Sequence, residues 1–193
     1  MGAQTDTRSR IQDVALRLFT EQGYEATSLR EIAEALNVTK AALYYHFKTK
    51  DDIIASLTED RIKSLDALVA WAQEQPRTVE TRRELVRRYS EDMTRGRDHE
   101  VMRFLERNQT ALQQHSKVMM MRERMTALIS VLCDADDPIT VKLRRSMAIF
   151  TMHAVWFVLR DEKVGDEERT EAALQLALEL IDSAEEFPTP AET

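Results

Sequence analysis

Apolar residues recur every three or four positions along almost the whole chain of 193 residues, and this spacing is what most limits its possible folds. Within residues 7–22, for example, Ile11, Ala15, Leu18 and Phe19 fall on one side of a helix. Glycine and proline number four each, too few for the many tight turns of an all-β fold. The pattern therefore predicts an all-α protein with about nine helices.

Start and stop signals give the bounds of these helices. Capping residues precede the second, third and fourth helices at Ser28, Thr39 and Thr49, and Asp137-Pro138 is a strong start signal for the eighth. The sequence shows no internal repeat and no low-complexity tract. The predicted helical segments are 7–22, 28–37, 40–48, 49–71, 78–95, 98–115, 116–132, 137–160 and 166–185.

Charge is distributed unevenly along the chain, whose net charge is −7. Residues 1–50 contain seven basic and six acidic side chains, whereas residues 51–193 contain 20 and 28. A nucleic acid would therefore meet the N-terminal part, because the rest repels phosphate. We predict a DNA-binding domain over 1–50, a larger ligand-binding and dimerisation domain over 51–187, and a flexible tail over 188–193.

Motifs of the common enzyme classes are missing from the sequence. It contains no glycine-rich phosphate loop, no G-x-S-x-G segment and no cluster of His, Cys and carboxylates at metal-binding spacing. Cys133 is the single cysteine, so an internal disulfide is excluded. The chain has neither the apolar core of a signal peptide nor a run of 18 apolar residues. We expect a cytoplasmic protein that is no enzyme, uses no cofactor or metal, and does not enter the membrane.

Residues 39–50, TKAALYYHFKTK, combine two tyrosines, a histidine and three lysines without any acid. On a helix, Leu43 and Phe47 lie one turn apart on one side, while Tyr44, Tyr45 and Lys48 spread over the other. We predict that Leu43 and Phe47 anchor this helix to the preceding one. The tyrosine rings and lysine ammonium groups would then face solvent.

A helix of about ten residues, a tight turn at Asn37 and a short helix with a polar outer face form the pattern of a helix-turn-helix. The second helix of that motif enters the major groove, where each base pair presents a distinct set of donors and acceptors. A surface helix with solvated lysines and partly buried tyrosines is the alternative that the pattern leaves open.

Residues 23–54 resemble the signature of the TetR family of bacterial transcriptional repressors. The resemblance covers roughly residues 7–60, less than a third of the chain. The sequence departs from that signature at Asn37, where many relatives have Gly, and at Ala41 and Ala42, which offer bases few hydrogen bonds. The matching elements are Gly23-Tyr24, Thr27-Ser28, Ile32-Ala33, Asn37-Val38, Leu43-Tyr44-Tyr45-His46-Phe47 and Lys50.

The resemblance implies which side chains contact double-stranded DNA through the segment 40–48. Those facing bases would be Lys40, Ala41 and Tyr44. Those facing the phosphate backbone would be Thr27, Ser28, Tyr45, His46 and Lys50, with Arg30 and Lys48 as further backbone contacts.

A homodimer is expected, because one recognition helix reads too few base pairs for useful specificity. Two-fold symmetry would place the two helices about 34 Å apart on a palindromic operator. The last two helices are apolar on more than one side, so each needs a second covering surface. The alternative is that both helices are central in a monomer. The predicted interface residues are Phe150, Phe157, Leu174, Leu178 and Ile181.

Methionines concentrate in the middle helices, where the resemblance implies an effector pocket. Methionine lines adaptable pockets but also fills ordinary cores, so both interpretations stay open. We predict a homodimeric repressor that an unknown, hydrophobic small-molecule effector releases from its operator. An activator, or a helical dimeric protein-interaction module of the same fold, is the alternative. The candidate pocket residues are Met93, Met102, Phe104, Asn108, Met121 and Met125.

Overall fold

The computed structural model describes residues 2–94, 98–159 and 162–186. Within these ranges all regular secondary structure is helical, which confirms the all-α prediction. In the same ranges, no helix combines the length and the apolar character needed to cross a bilayer. The predicted tail, residues 188–193, lies outside the described residues. The helices are α1 (Gly2–Gln22), α2 (Leu29–Ala35), α3 (Lys40–His46), α4 (Lys50–Gln73), α5 (Val79–Thr94), α6 (Asp98–Arg107), α7 (Gln109–Leu112), α8 (Ser116–Leu132), α9 (Ile139–Val158) and α10 (Asp166–Glu185).

The described part of the chain holds ten helices rather than about nine, because the predicted segment 98–115 is divided at Asn108. The Asn108 amide group donates to the carbonyl of Phe104 at 2.9 Å, and its side-chain oxygen accepts the backbone N–H of Tyr24 at 2.9 Å. An asparagine that bonds to the backbone in this way competes with helical hydrogen bonding. At the start of α9, Pro138 rather than Asp137 occupies the N-cap position.

The chain forms two compact units. The first contains residues 1–63 and 100–122, and the second contains residues 64–99 and 123–193. Helices α4 and α8 contribute residues to both units. The predicted boundary at residue 50 separates a DNA-binding function from a ligand-binding one. The two compact units are divided at other positions, so this functional boundary stays a prediction.

Aromatic side chains build the core of the first unit. Phe19 of α1 stacks on Phe104 of α6 with ring centres 5.6 Å apart, and Tyr24 meets Phe19 edge-on at 5.2 Å. Such pairs contribute about 0.5–1.5 kcal/mol beyond the apolar area that they bury. The segment 100–122 is therefore part of the core on which α1–α3 are built.

Helices α9 and α10 pack along buried faces in the second unit, and α5 packs against both. Ala148 and Ile149 of α9 are fully buried, as are Ala177 and Ile181 of α10. Alanine side chains at such a contact allow two helix axes to approach closely. These three helices form the framework of the second unit.

Two buried arginines join the ends of helices in the second unit. Arg82 of α5 pairs with Asp134 and donates to the Leu132 carbonyl at 3.0 Å, while Arg145 of α9 pairs with Asp137 and, at 2.8 Å, with Glu185. Buried charges need such partners, because an unpaired one costs several kcal/mol. Burial alone would raise the pKa of Asp134, but a hydrogen bond from an arginine and the surrounding positive charges bring it below its ordinary value.

Candidate nucleic-acid interface and ligand cavity

The turn between α2 and α3 is fixed by local hydrogen bonds. Ser28 and Glu31 form a capping box at the start of α2, and the Thr39 hydroxyl accepts the Ala42 N–H at 3.2 Å at the start of α3. Asn37 has φ +55°, the left-handed conformation that asparagine tolerates better than most residues. Val38 then donates to the Ala33 carbonyl at 3.0 Å. The expected helix-turn-helix geometry is present.

Helix α3 has one buried and one open side. Leu43 is 0% and the following Phe47 1% exposed, whereas Tyr45 is 68% exposed. This confirms the predicted anchoring side chains and the solvent-facing ring of Tyr45. Tyr44 is half-buried, so the prediction of two fully open rings holds only for Tyr45. Burial of the Leu and Phe side chains contributes about 1.5–3 kcal/mol each. A helix of seven residues needs this contribution, because its own backbone hydrogen bonds would not keep it folded in water.

Three lysines surround this surface, and their ammonium groups have partners. Lys40 Nζ lies 5.3 Å from the centre of the Tyr44 ring. Lys48 Nζ donates to the Tyr44 carbonyl at 2.6 Å. Lys50 Nζ donates to the Tyr24 carbonyl at 2.7 Å and lies 4.4 Å from the Tyr24 ring. Lys40 and Lys48 are exposed, while Lys50 is half-buried and would have to exchange its carbonyl partner for a phosphate.

The remaining predicted contacts differ in accessibility. Ser28, Arg30 and Ala41 are exposed, and His46 is half-buried with its ring edge-on to Tyr45 at 5.3 Å. Thr27 is a correction, because its side chain is 1% exposed and its hydroxyl donates to the Gly23 carbonyl at 2.9 Å. The Thr27 side chain therefore supports the α1–α2 turn and does not fit a phosphate contact.

Acidic side chains accept backbone N–H groups at the starts of α2 and α4. Asp52 accepts the N–H groups of Lys48 and Thr49, both at 2.9 Å, and Glu31 accepts that of Ser28 at 2.7 Å. Burial opposes ionisation of Asp52, but these backbone hydrogen bonds bring its pKa below the ordinary value. The N–H groups of Ser28, Lys48 and Thr49 are thus already bonded within the chain.

Large apolar side chains remain exposed on α9. Phe157 is 72% exposed and Phe150 is also exposed, as a subunit interface requires. Ile181 corrects the prediction, because it is completely buried within its own chain, and Leu174 and Leu178 are half-buried. Exposed apolar residues that the prediction left out are Ile139, Leu143, Met147, Val158 and Leu176.

The predicted pocket residues are divided between the two units. Met102, Phe104, Asn108 and Met121 belong to the first unit, where Phe104 and Asn108 have the structural contacts described above. Met93 and Met125 belong to the second unit, and the Tyr89 hydroxyl donates to the Met125 sulfur at 3.8 Å. Of these six residues, Met93 lines the cavity described next.

A cavity of about 590 Å³ lies among α5, α9 and α10 of the second unit. Met93 and Met152 contribute apolar walls, Trp156 an aromatic face, and Glu167 and Glu171 carboxylates. Volumes of 300–1,000 Å³ with apolar walls and a few polar groups are typical of small-molecule sites. The cavity is a candidate effector site.

Comparison with known proteins identifies the N-terminal domain. Residues 11–57 match the family described as bacterial regulatory proteins, tetR family. Residues 11–57 therefore form a TetR-family N-terminal domain. TetR-family regulators are DNA-binding proteins and not enzymes, which confirms the prediction of no enzymatic activity.

Curated TetR-family relatives match over the DNA-binding region. The HTH-type transcriptional regulator AcrR of Shigella flexneri is 54% identical over 54 residues, 28% of this chain and 25% of AcrR. The icaADBC negative transcriptional regulator IcaR of Staphylococcus epidermidis is 40% identical over 53 residues, 28% of this chain and 29% of IcaR. The chain spans about a quarter of the length of these relatives, so the likeness concerns the helix-turn-helix.

Solved TetR-family structures share the fold over nearly the whole chain. AmtR of Mycobacterium smegmatis has a TM-score of 0.64 at 23% identity, covering 95% of this chain and 96% of AmtR. AibR in complex with isovaleryl coenzyme A and operator DNA has a TM-score of 0.56 at 23% identity, covering 88% and 96%. At these identities the likeness establishes the fold.

Apart from Met93, the residues that line this cavity were not among the predicted pocket residues. Ser90 resembles an ordinary helix residue, and Trp156 resembles a core residue. Glu167 and Glu171 carried a usable signal, because two like charges four residues apart on a helix repel one another. That signal points to a helix face where a cation would be favourable.

Proposed function

We propose that this chain is a DNA-binding transcriptional regulator, acting as a homodimeric repressor that a small molecule releases from a palindromic operator. The observation that carries the proposal is the arrangement of α3. Leu43 and Phe47 are buried, while Lys40, Tyr45 and Lys48 are exposed on the other side of the helix and its following turn. The similarity to AcrR, a transcriptional regulator, and to IcaR, a negative transcriptional regulator, supports it.

The exposed side of α3 has the chemistry that the major groove requires. Lys40 offers a donor to guanine acceptors, the Ala41 methyl can contact a thymine methyl, and Tyr44 adds a ring edge and a hydroxyl. Tyr45, His46 and Lys48 are placed for the phosphate backbone. Lysine–phosphate contacts release counterions, so each should add about 0.9 to the slope of log affinity against log salt.

A second copy of the chain is the proposed occupant of the exposed apolar face of α9. Positions 139, 143, 147, 150 and 157 recur at helical spacing, so their side chains share one face of α9. Exposed apolar side chains that share one helix face indicate an interaction surface. A two-fold interface there would give the paired recognition helices that a palindromic operator needs.

Release by an effector requires two conformational states, one of which matches the operator. A ligand shifts the protein toward the other state only by as much as it prefers that state. The structure of AibR in complex with isovaleryl coenzyme A and operator DNA supports the binding of a small molecule and of DNA by this fold. Here we propose the cavity among α5, α9 and α10 as the effector site, with α4, which contributes residues to both units, as the element that moves.

Fluorescence anisotropy with labelled duplexes tests the proposal. The DNA upstream of the protein's own gene and a scrambled duplex are titrated at several salt concentrations. Tyr44→Ala should weaken operator binding roughly tenfold and scrambled-DNA binding far less. Lys48→Ala should lower the salt slope by about one. Lys63→Ala is the matched control, because Lys63 is exposed but pairs with Glu59 on α4 at 2.8 Å.

Binding to neither duplex in dilute buffer would refute the DNA-binding proposal. Equal losses on both duplexes for Tyr44→Ala would remove this residue from the base contacts. A similar slope change for Lys63→Ala would show that α3 is not the contact surface.

A further inference from the structure

We propose that the cavity among α5, α9 and α10 binds a cationic amphiphile, a small molecule with an apolar body, a hydrogen-bonding group and a positive charge. The inference that such a molecule binds comes from the cavity alone. The inference that its binding changes DNA affinity rests on the proposed regulatory function. The inference is built from three parts of the cavity, namely its apolar walls, one buried hydroxyl and its acidic rim.

The walls favour an apolar body with some flexibility. Met93 and Met152 are buried side chains that line the cavity, and Trp156 is half-buried beside them. Thioethers adapt to ligands of different shapes, and an indole ring attracts cations through its face. The Arg169 guanidinium lies 5.8 Å from the Trp156 ring, so this ring already contacts one cation.

Ser90 places a polar group inside the cavity. Its side chain is 3% exposed and lines the cavity, and no hydrogen-bond partner for its hydroxyl is found among the described residues. The hydroxyl is not among the polar atoms that are sealed from solvent without a partner, so it faces the open space of the cavity. A ligand with a hydroxyl or an amine at this depth would supply the partner.

Carboxylates of α10 form the rim. Asp166 pairs with Arg169 at 3.2 Å, so its charge is compensated. Glu167 and Glu171 also line the cavity, one helical turn apart, and no described residue lining it is basic. Like charges four residues apart destabilise a helix. A bound cation would relieve this repulsion.

Helix capping explains only part of this acidity. Acidic residues in the first turn of α10, including Glu167, interact favourably with the helix dipole. Glu171 lies beyond that turn, where the dipole effect has decayed, and no residue three or four positions away from it is basic. Glu171 is exposed at the edge of the cavity, where it is open to a positively charged group of a ligand.

Three probes of equal chain length separate charge from apolar burial. They are protonated ω-aminodecanol, neutral decanol and anionic ω-hydroxydecanoate. The Trp71→Phe variant leaves Trp156 as its single tryptophan, so its fluorescence reports binding at the cavity, and calorimetry on the unmodified chain provides a second measurement. We expect the order of affinity to be ω-aminodecanol, decanol, ω-hydroxydecanoate.

Point substitutions then assign the contributions. Glu171→Gln should weaken ω-aminodecanol up to about fivefold, leave decanol unchanged and strengthen ω-hydroxydecanoate. Glu168→Gln is the matched control, because Glu168 lies in the first turn of α10 but does not line the cavity. Ser90→Ala should weaken all three probes by roughly three- to tenfold. Circular dichroism checks that each variant is folded. If Ser90→Ala does not fold, Glu171→Gln still tests the inference.

Several results would overturn the inference. If ω-hydroxydecanoate binds as tightly as ω-aminodecanol, or Glu168→Gln acts like Glu171→Gln, the rim does not select cations. If none of the probes binds while operator DNA still binds, the cavity inference fails and the regulator proposal stands. Binding of ω-aminodecanol without any change in operator affinity refutes its role as an effector. If the probes bind but operator DNA does not, the result counts against the regulator proposal and not against the cavity inference.

Discussion

Replacing Leu43 by Ala should destabilise the first unit much more than replacing Tyr45 by Ala, although the two residues are neighbours on α3. Leu43 is completely buried, so its truncation removes apolar burial and leaves a cavity, which costs about 2–5 kcal/mol. Tyr45 is exposed, so its truncation should change the free energy of unfolding by no more than about 0.5 kcal/mol. The opposite order is expected for DNA binding, because we propose Tyr45, and not Leu43, as a DNA contact.

Thermal unfolding followed by circular dichroism measures the first effect, and anisotropy with labelled operator measures the second. For a chain of this size, each kcal/mol lowers Tm by about 2–4 °C. Leu43→Ala should therefore lower Tm by several degrees at least, while Tyr45→Ala keeps the parent Tm and binds DNA more weakly. If Tyr45→Ala lowers Tm as much as Leu43→Ala, the tyrosine ring is packed inside and the DNA-contact reasoning fails.

Three further predictions concern the second unit. Phe157→Glu should convert a dimer into a monomer in analytical ultracentrifugation without lowering Tm, because Phe157 is exposed in the single chain; a variant that stays dimeric would move the interface elsewhere. Asp134→Asn should be less stable than the parent at neutral pH, because the lowered pKa of Asp134 means that its ionised form stabilises the folded chain. This stabilisation is lost as Asp134 becomes protonated, so the difference in stability should shrink as pH falls below about 4. A constant difference from about pH 7 to 2 would contradict this. Burial raises the pKa of Cys133, so iodoacetamide should alkylate it more slowly than a free thiol at pH 7, and equal rates would show an open thiolate.

Features determined by neighbouring residues were predictable from the sequence. The capping residues Ser28 and Thr39 start α2 and α3 as expected, because capping bonds join residues only three apart. The burial of Leu43 and Phe47 also followed, since helical spacing alone puts them on one side. The open side of α3 is therefore a consequence of residue spacing within a single short helix.

Features determined by distant residues were not predictable. The bond between Tyr24 and Asn108 joins positions 84 residues apart, and nothing in the local pattern indicates it. The local pattern also does not show which face of α10 packs within the chain, because Leu174, Leu178 and Ile181 form an apolar stripe that is no weaker than the others on this helix. Only the packing of α10 on α9 and α5 shows that Ile181 is used within the chain. Methionine content gave no guide to the cavity, because methionines also fill both cores.

The stacking of Phe104 on Phe19, with Asn108 holding the Tyr24 backbone, determines how this protein can be dissected. A fragment that stops after residue 63 contains the whole helix-turn-helix yet lacks both partners, and would leave the Phe19 ring in water. Splicing 100–122 back through a short linker should restore an autonomous folding domain. The smallest piece that can be grafted onto another regulator is therefore discontinuous along the gene.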